Sequence, residues 1–278
     1  MVQSSYYRVP SKGKKGRKPS KYTLHNTKGF VSQDTVIASV KEILKHEFID
    51  CGYRLMTSYL KKDGYTINHK KLYRIMKEEG LLKLDNRIDR SGSGRKFVKF
   101  RKVYTTRPLE CLEMDIKMVW IPSVGKNAYL LSVIDVHTRR ILQDYFSFDI
   151  KQNQVIALLS EIFKEYDYPS SVVIRSDNGS QFIARKVREY LGLIGVQQEF
   201  THIATPEENA HIEAYHGILK KEVFKRCDYQ YFGEIEQVLK RYVKFYNNRR
   251  LHGLLGRITP MEKWNADKKL IAIKKLTA

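Results

Sequence analysis

The chain is 278 residues long and carries 51 Lys and Arg against 30 Asp and Glu, a formal charge of +21 at neutral pH. A hydrophobic fraction of 42% excludes wholesale disorder, and 16 Gly with 7 Pro exclude a collagen-like or low-complexity chain. No run of about 18 apolar residues occurs, so no membrane span is expected, and the basic surplus points to a polyanion, most often nucleic acid. Cys51, Cys111 and Cys227 are odd in number and far apart. They form neither a metal-ligand spacing nor a disulfide framework, and they fit a reducing cytosol.

Residues 1–30 hold eight Lys or Arg and no acid, with Gly, Pro and Ser interrupting any periodicity. They read as a flexible basic arm, either a solvated tether or a contact for phosphates. Residues 31–82 read as a small helical domain. Val36, Ile37, Val40, Ile43 and Leu44 recur at helical spacing behind Ser32 and Asp34 as N-cap candidates. A second helix is expected from Tyr53 to Lys61, ending at Asp63-Gly64, and a third from Asn68 to Glu79 with Gly80 as its stop. Two short helices across a Gly-containing turn have helix-turn-helix character, and His69, Lys70, Lys71 and Arg74 decorate the second. An ordinary helical hairpin fits the same pattern. Residues 83–106 form a second basic stretch around Ser91-Gly92-Ser93-Gly94 and read as a linker.

From residue 107 the periodicity changes. Leu112, Met114, Ile116, Met118 and Trp120 alternate along a predicted strand from Leu109 to Ile121. Two further strands, Asn127–Val136 and Arg140–Phe148, follow across short connections. Then come a helix over Gln154–Tyr166, a strand over Val172–Ile174, a helix over Gln181–Leu193, a strand over Val196–Phe200 and a helix over Glu207–Phe224. Hairpin strands followed by alternating helices and strands predict an α/β domain with a mixed sheet. Residues 227–278 read as a last helix, Phe232–Asn247, and a basic tail.

Three acids stand out by position. Asp115 interrupts the first strand and shares a face with Glu113 and Lys117, opposite Met114 and Ile116. Asp177 follows a buried strand and precedes Asn178-Gly179, at the carboxyl end where α/β sheets carry functional groups. Glu213 lies on a helix, with Asn209 and Lys220 on its face. Singly these read as a polar strand position, an Asx turn and a solvated helical acid. Together they form a set able to hold two Mg²⁺ ions, which prefer hard oxygen donors and promote in-line displacement at phosphorus. Asp135 has no metal partner at a matching spacing and reads as structural. His211 and His216 are five residues apart, roughly 140° round a helix, which does not suit zinc.

Residues 174–182, Ile-Arg-Ser-Asp-Asn-Gly-Ser-Gln-Phe, resemble the second-aspartate motif of retroviral-integrase-like transposases of the IS3 family. Residues 209–222, from Asn209 through Glu213 and Lys220 to Glu222, resemble the family's glutamate helix. The 35 residues between Asp177 and Glu213 match its D,D(35)E spacing. Met114-Asp115-Ile116, the block from Gly52-Tyr53-Arg54 to Leu81, and Tyr246–His252 with Thr259-Pro260 extend the likeness over nearly the whole chain. Glu208 in place of an aspartate, Thr205-Pro206-Glu207 in place of a Gly/Pro-rich loop, and Lys117 depart from the pattern.

The resemblance implies an RNase H-like mixed five-stranded sheet flanked by helices, at residues 107–226, behind a helix-turn-helix-like domain. It implies a second-frame catalytic subunit that cleaves and joins DNA at element ends with two Mg²⁺, or Mn²⁺ in their place. Asp115 would bridge both ions, with Asp177 and Glu213 each completing one site. Lys220, Asn209, Asn178, Arg249, Arg250, Lys70, Lys71 and Arg74 would contact DNA, as would His216 unless it serves packing. Partners would be the element's terminal repeats, target DNA, further copies of the chain, and an upstream-frame protein or frameshift fusion, because Met1 resembles a point inside the family's catalytic frame. The setting would be the bacterial cytoplasm, on the nucleoid. A catalytically silent DNA-binding derivative and a general RNase H-like nuclease remain as alternatives.

Overall fold

The computed structural model describes residues 20–82, 103–166, 171–202 and 206–273. Residues 1–19 of the expected arm and 83–102 of the expected linker lie outside the described residues.

The N-terminal unit is not purely helical. Strands β1 (Tyr22–His25) and β2 (Gly29–Ser32) form an antiparallel hairpin where the sequence suggests a flexible arm. A two-residue strand, β3 (Tyr65–Thr66), pairs with β1 and occupies the turn between the second and third helices. Helices α1 (Gln33–Leu44), α2 (Tyr53–Lys62) and α3 (His69–Glu78) match the sequence expectation. Ser32 and Asn68 accept the capping bonds from Thr35 N and Lys70 N, satisfying amides that a helix start leaves without partners. Val40, Met56, Leu60, Leu72, Ile75 and Met76 close a small core between the three helices.

The larger unit is a five-stranded sheet in the order β6-β5-β4-β7-β8. Strands β4 (Cys111–Ile121), β5 (Lys126–Asp135) and β6 (Ile141–Ser147) run antiparallel, while β7 (Val173–Ser176) and β8 (Gln197–Phe200) add in parallel. Leu112 and Met114 face α4 (Gln152–Glu165) and α6 (Arg185–Leu193) in one core. Val119 and Ile121 face α7 (Ala210–Leu219) and α8 (Phe232–Asn248) in the other. The strand alternation thus produces a sheet covered by helices on both sides.

Three elements differ from the sequence expectation. The helix expected over Gln181–Leu193 is split into α5 (Ser180–Ile183) and α6, because Ala184 is extended at ψ 138°. Gln198 Nε2 donates to the Phe182 carbonyl, which the break would leave unpaired. The long helix over Glu207–Phe224 becomes a 3₁₀ turn at 206–209, then α7, then a widened turn over Lys220–Phe224. The expected basic tail contains α9 (Pro260–Asp267) and α10 (Lys269–Ile273). Trp264 is buried there and packs beside Tyr166 at 5.2 Å, with the Arg140 guanidinium 4.7 Å from its ring.

The C-terminal segment is also part of the core. Asn247 bonds both the amide and the carbonyl of Ile141 at 2.9 Å, fastening α8 to β6. Phe48, beyond α1, packs against Tyr242 and Phe245 of α8, so the N-terminal unit docks on the same helix. Among the described residues, no helix is long and apolar enough to cross a membrane.

Candidate active site

The register of two parallel strands explains why two of the acids meet. Glu113 of β4 is paired with Arg175 of β7. Asp115 lies two residues further along β4, and Asp177 lies two residues beyond Arg175, just past the end of β7, so both reach the same end of the paired strands. Both line an open cleft of about 410 Å³, together with Gln181, Met118, Tyr129 and Asp149. Asp115 Oδ1 accepts from the Ile116 amide at 2.7 Å, and its Oδ2 lies 3.2 Å from His216 Nδ1. Asp177 Oδ1 accepts from the Gly179 amide at 3.0 Å, forming the expected Asx turn. A side chain at position 179 would displace the movable carboxamide end of Gln181 and crowd Asp177 Oδ1 at 3.1 Å.

Glu213 is not part of this cleft lining. It is exposed on α7, whose opposite side is held down by buried Ile212, Tyr215 and Leu219. Among the described residues, no group of three acids, histidines or cysteines is close enough to hold a metal ion. In place of the expected three-acid cluster, two aspartates line one cleft and the third acid lies on an adjoining helix. Two carboxyl groups on one open cleft fit a single hard cation such as Mg²⁺, which keeps several waters. A second ion requires Glu213 as well.

The residues expected on DNA divide into two sets. Lys220 and Arg249 are exposed, and Lys70 is exposed beside a hollow of about 320 Å³ lined also by Ser20, Asn68, Lys71 and Arg74. Lys71 Nζ donates to the Tyr22 carbonyl, and Arg74 lies 3.8 Å from Glu78. Asn178 is exposed, with Nδ2 donating 2.9 Å to the Thr201 carbonyl, which joins the ends of β7 and β8. Asn209, His216 and Arg250 instead point inward. Asn209 is 4% exposed and donates to the Met114 carbonyl at 3.4 Å. His216 is buried against Asp115, the packing alternative left open by its sequence. Arg250 closes on Glu222 with bonds of 2.9–3.1 Å. Tyr242 donates to the same carboxyl at 2.9 Å. Burial disfavours the Arg250 charge, yet the Glu222 bonds and charge outweigh it and raise the guanidinium pKa. Asp135 is structural, as expected: it accepts from the Leu109 and Thr138 amides at 2.9 and 2.8 Å, and from the Thr138 hydroxyl.

Sequence reasoning missed the polar frame beneath α7. Glu113 was noted only as a neighbour of Asp115, yet it is fully buried and accepts from the His211 and Ile212 amides, each at 2.9 Å. Arg175 Nη1 donates to the Glu208 carbonyl at 3.0 Å, and its Nη2 to Glu199 at 2.8 Å. The one available signal was an acid at an inward strand position two residues before Asp115. Asp149, on the cleft rim and ion-paired with Lys151 at 2.8 Å, was also not singled out.

Comparison with known proteins agrees with this architecture. Two integrase core domain families match residues 105–206 and 194–260, and an HTH-like domain family matches residues 32–87. A protein described as the transposase InsK of insertion sequence element IS150, from Escherichia coli K12, is 29% identical over 76% of this chain and 76% of its own length. The transposase of element IS904 from Lactococcus lactis is 24% identical over 90% of this chain and 99% of its own. Among solved structures, the catalytic core domain of BIV integrase is 16% identical over 58% of this chain and 97% of that one, with a TM-score of 0.43. The chain thus carries an HTH-like domain followed by an integrase core, and over most of its length it is similar to insertion-sequence transposases.

Proposed function

We propose that this protein is the catalytic subunit of its element's transposition, cutting DNA at the element ends and joining the new ends to a target. The observation that carries the reading is that Asp115 of β4 and Asp177, just past the end of β7, line one open cleft, with Glu213 on the adjoining helix. In the first step a water oxygen attacks phosphorus, the bond to the bridging 3′ oxygen breaks, and a 3′-hydroxyl is released. In the second, that hydroxyl attacks a target phosphodiester and displaces another 3′ oxygen. Bound Mg²⁺ would supply activation of the attacking oxygen and neutralisation of charge on the leaving one. Asp115 and Asp177 would hold the first ion and Asp115 with Glu213 the second, with Mn²⁺ able to replace Mg²⁺. Lys220, Lys70 and Arg249 are exposed cations suited to backbone phosphates, where Lys and Arg act by neutralising charge. Additional copies of the chain and an upstream-frame product are the partners this reading implies.

The position of Glu213 outside the cleft favours a second reading, a silent DNA-binding derivative. Cleavage of labelled element-end DNA with Mg²⁺, with and without chelator, separates the two. The transposase reading expects a 3′-hydroxyl product that chelation, Asp115→Asn or Asp177→Asn abolishes while DNA binding persists. Cleavage that survives either substitution contradicts it.

A further inference from the structure

The segment that delivers Glu213 is tied to β4, which carries Asp115, and to β7, which Asp177 follows, through buried polar groups. From β4, Glu113 Oε2 accepts from the His211 and Ile212 amides at 2.9 Å, and its Oε1 lies 2.6 Å from His211 Nδ1. From β7, Arg175 donates to the Glu208 carbonyl at 3.0 Å. Asn209 adds a bond to the Met114 carbonyl, and His216 meets Asp115 one turn beyond. Glu113, Arg175, Glu208 and Asn209 are all at least nine-tenths buried, so these bonds form away from competing water. A carboxyl at a helix start also meets the positive end of the helix dipole, which favours this docking over alternatives shifted along the strand.

We propose that Glu113 is a positioning residue for phosphoryl transfer: its buried carboxyl fixes the first turn of α7 on β4 and thereby sets Glu213 relative to Asp115. The inference rests on the transposase reading above. Glu113 touches neither DNA nor the reacting atoms; it acts through the placement of α7.

The test uses the full chain and compares Glu113→Ala, Glu113→Asp and Glu113→Gln with Asp115→Asn. Cleavage of element-end DNA is measured in the steady state as kcat and KM, and amide hydrogen exchange across residues 208–216 is followed in metal-free protein. Glu113→Ala should lower kcat at least ~10-fold, the scale on which a slight misplacement of a catalytic group acts, with KM for DNA unchanged. The amides of 211 and 212 should lose protection. Glu113→Asp, drawn back by one methylene, should fold even if the alanine variant does not and should show the same kcat loss. Glu113→Gln, whose carbonyl oxygen can still accept from both amides, should recover most of the rate. Wild-type kcat in folded Glu113→Asp, or unchanged exchange at 211 and 212, overturns the positioning role while an inactive Asp115→Asn leaves the transposase reading intact. An active Asp115→Asn overturns both.

Discussion

Replacing Arg250 by Ala distinguishes a fold-supporting arginine from a DNA-binding one. Its side chain is 14% exposed and that of Glu222 is 11% exposed, and the pair is joined by contacts of 2.9–3.1 Å. Truncating Arg250 leaves a buried carboxyl held by the Tyr242 hydroxyl, and breaking a buried pair from one side costs about 3–5 kcal/mol. For the cooperative unit that contains it, this corresponds to a fall of roughly 6–20 °C in Tm. Glu222→Gln added to Arg250→Ala removes the stranded charge and keeps an acceptor for Tyr242, so part of the loss should return. The assays are a thermal melt and DNA affinity measured across a salt series. A phosphate-binding arginine would behave oppositely: Tm would hold, and the slope of log affinity against log salt would shrink by about 1. That result would refute the assignment of Arg250 to the fold.

Two further outcomes follow from buried groups. Burial, with the charges of Arg250 and Arg139, pushes the His252 imidazole down to about 3, so it is neutral in the folded chain while an unfolded histidine takes a proton near pH 6.5. The unfolded state therefore binds more protons between those values, and this group's contribution to stability falls as pH drops from about 6.5 toward 3, by up to ~1.4 kcal/mol per pH unit. Burial raises the Asp144 carboxyl to about 6 and acts in the opposite sense over part of that range, so the readout is the difference between wild type and His252→Gln in urea melts at several pH values. Parallel curves for the two proteins would contradict the assignment. Phe48, 2% exposed and 5.1 Å from the Tyr242 ring, anchors the N-terminal unit to α8. Phe48→Ala should cost about 3–5 kcal/mol and split calorimetric unfolding into two transitions, the N-terminal unit melting first. One unchanged transition would contradict that anchoring.

The sequence makes the five-stranded sheet readable because its first strand alternates between apolar and polar positions. Met114 and Ile116 alternate with Glu113, Asp115 and Lys117, and that parity survives in the two cores. The β1–β2 hairpin was not readable. Its strands are four residues long, Phe30 is exposed, and β1 is completed by β3 some 40 residues later. Helix α9 carried a usable sign in Thr259-Pro260-Met261-Glu262, a capping box with Pro at the first turn, but its few buried side chains gave no apolar stripe. For the site, Asp177 was legible as a strand-end residue and Asp115 as an interrupted alternation. Burial of Asn209, His216 and Arg250 was not legible, since a polar residue on a basic chain reads as solvent-facing until its partner is known. Glu222 and Met114 lie 28 and 95 residues from the groups they bind.

The central claim is that Asp115, Asp177 and Glu213 act as one set, and Glu213 tests it most directly because it lies outside the cleft that the two aspartates share. Glu213→Gln should be assayed for single-turnover cleavage of element-end DNA with Mg²⁺, beside a measurement of DNA binding. The account predicts unchanged binding and a rate lowered at least ~100-fold, the scale of losing one group that stabilises the transition state. Cleavage at the wild-type rate by Glu213→Gln would contradict it.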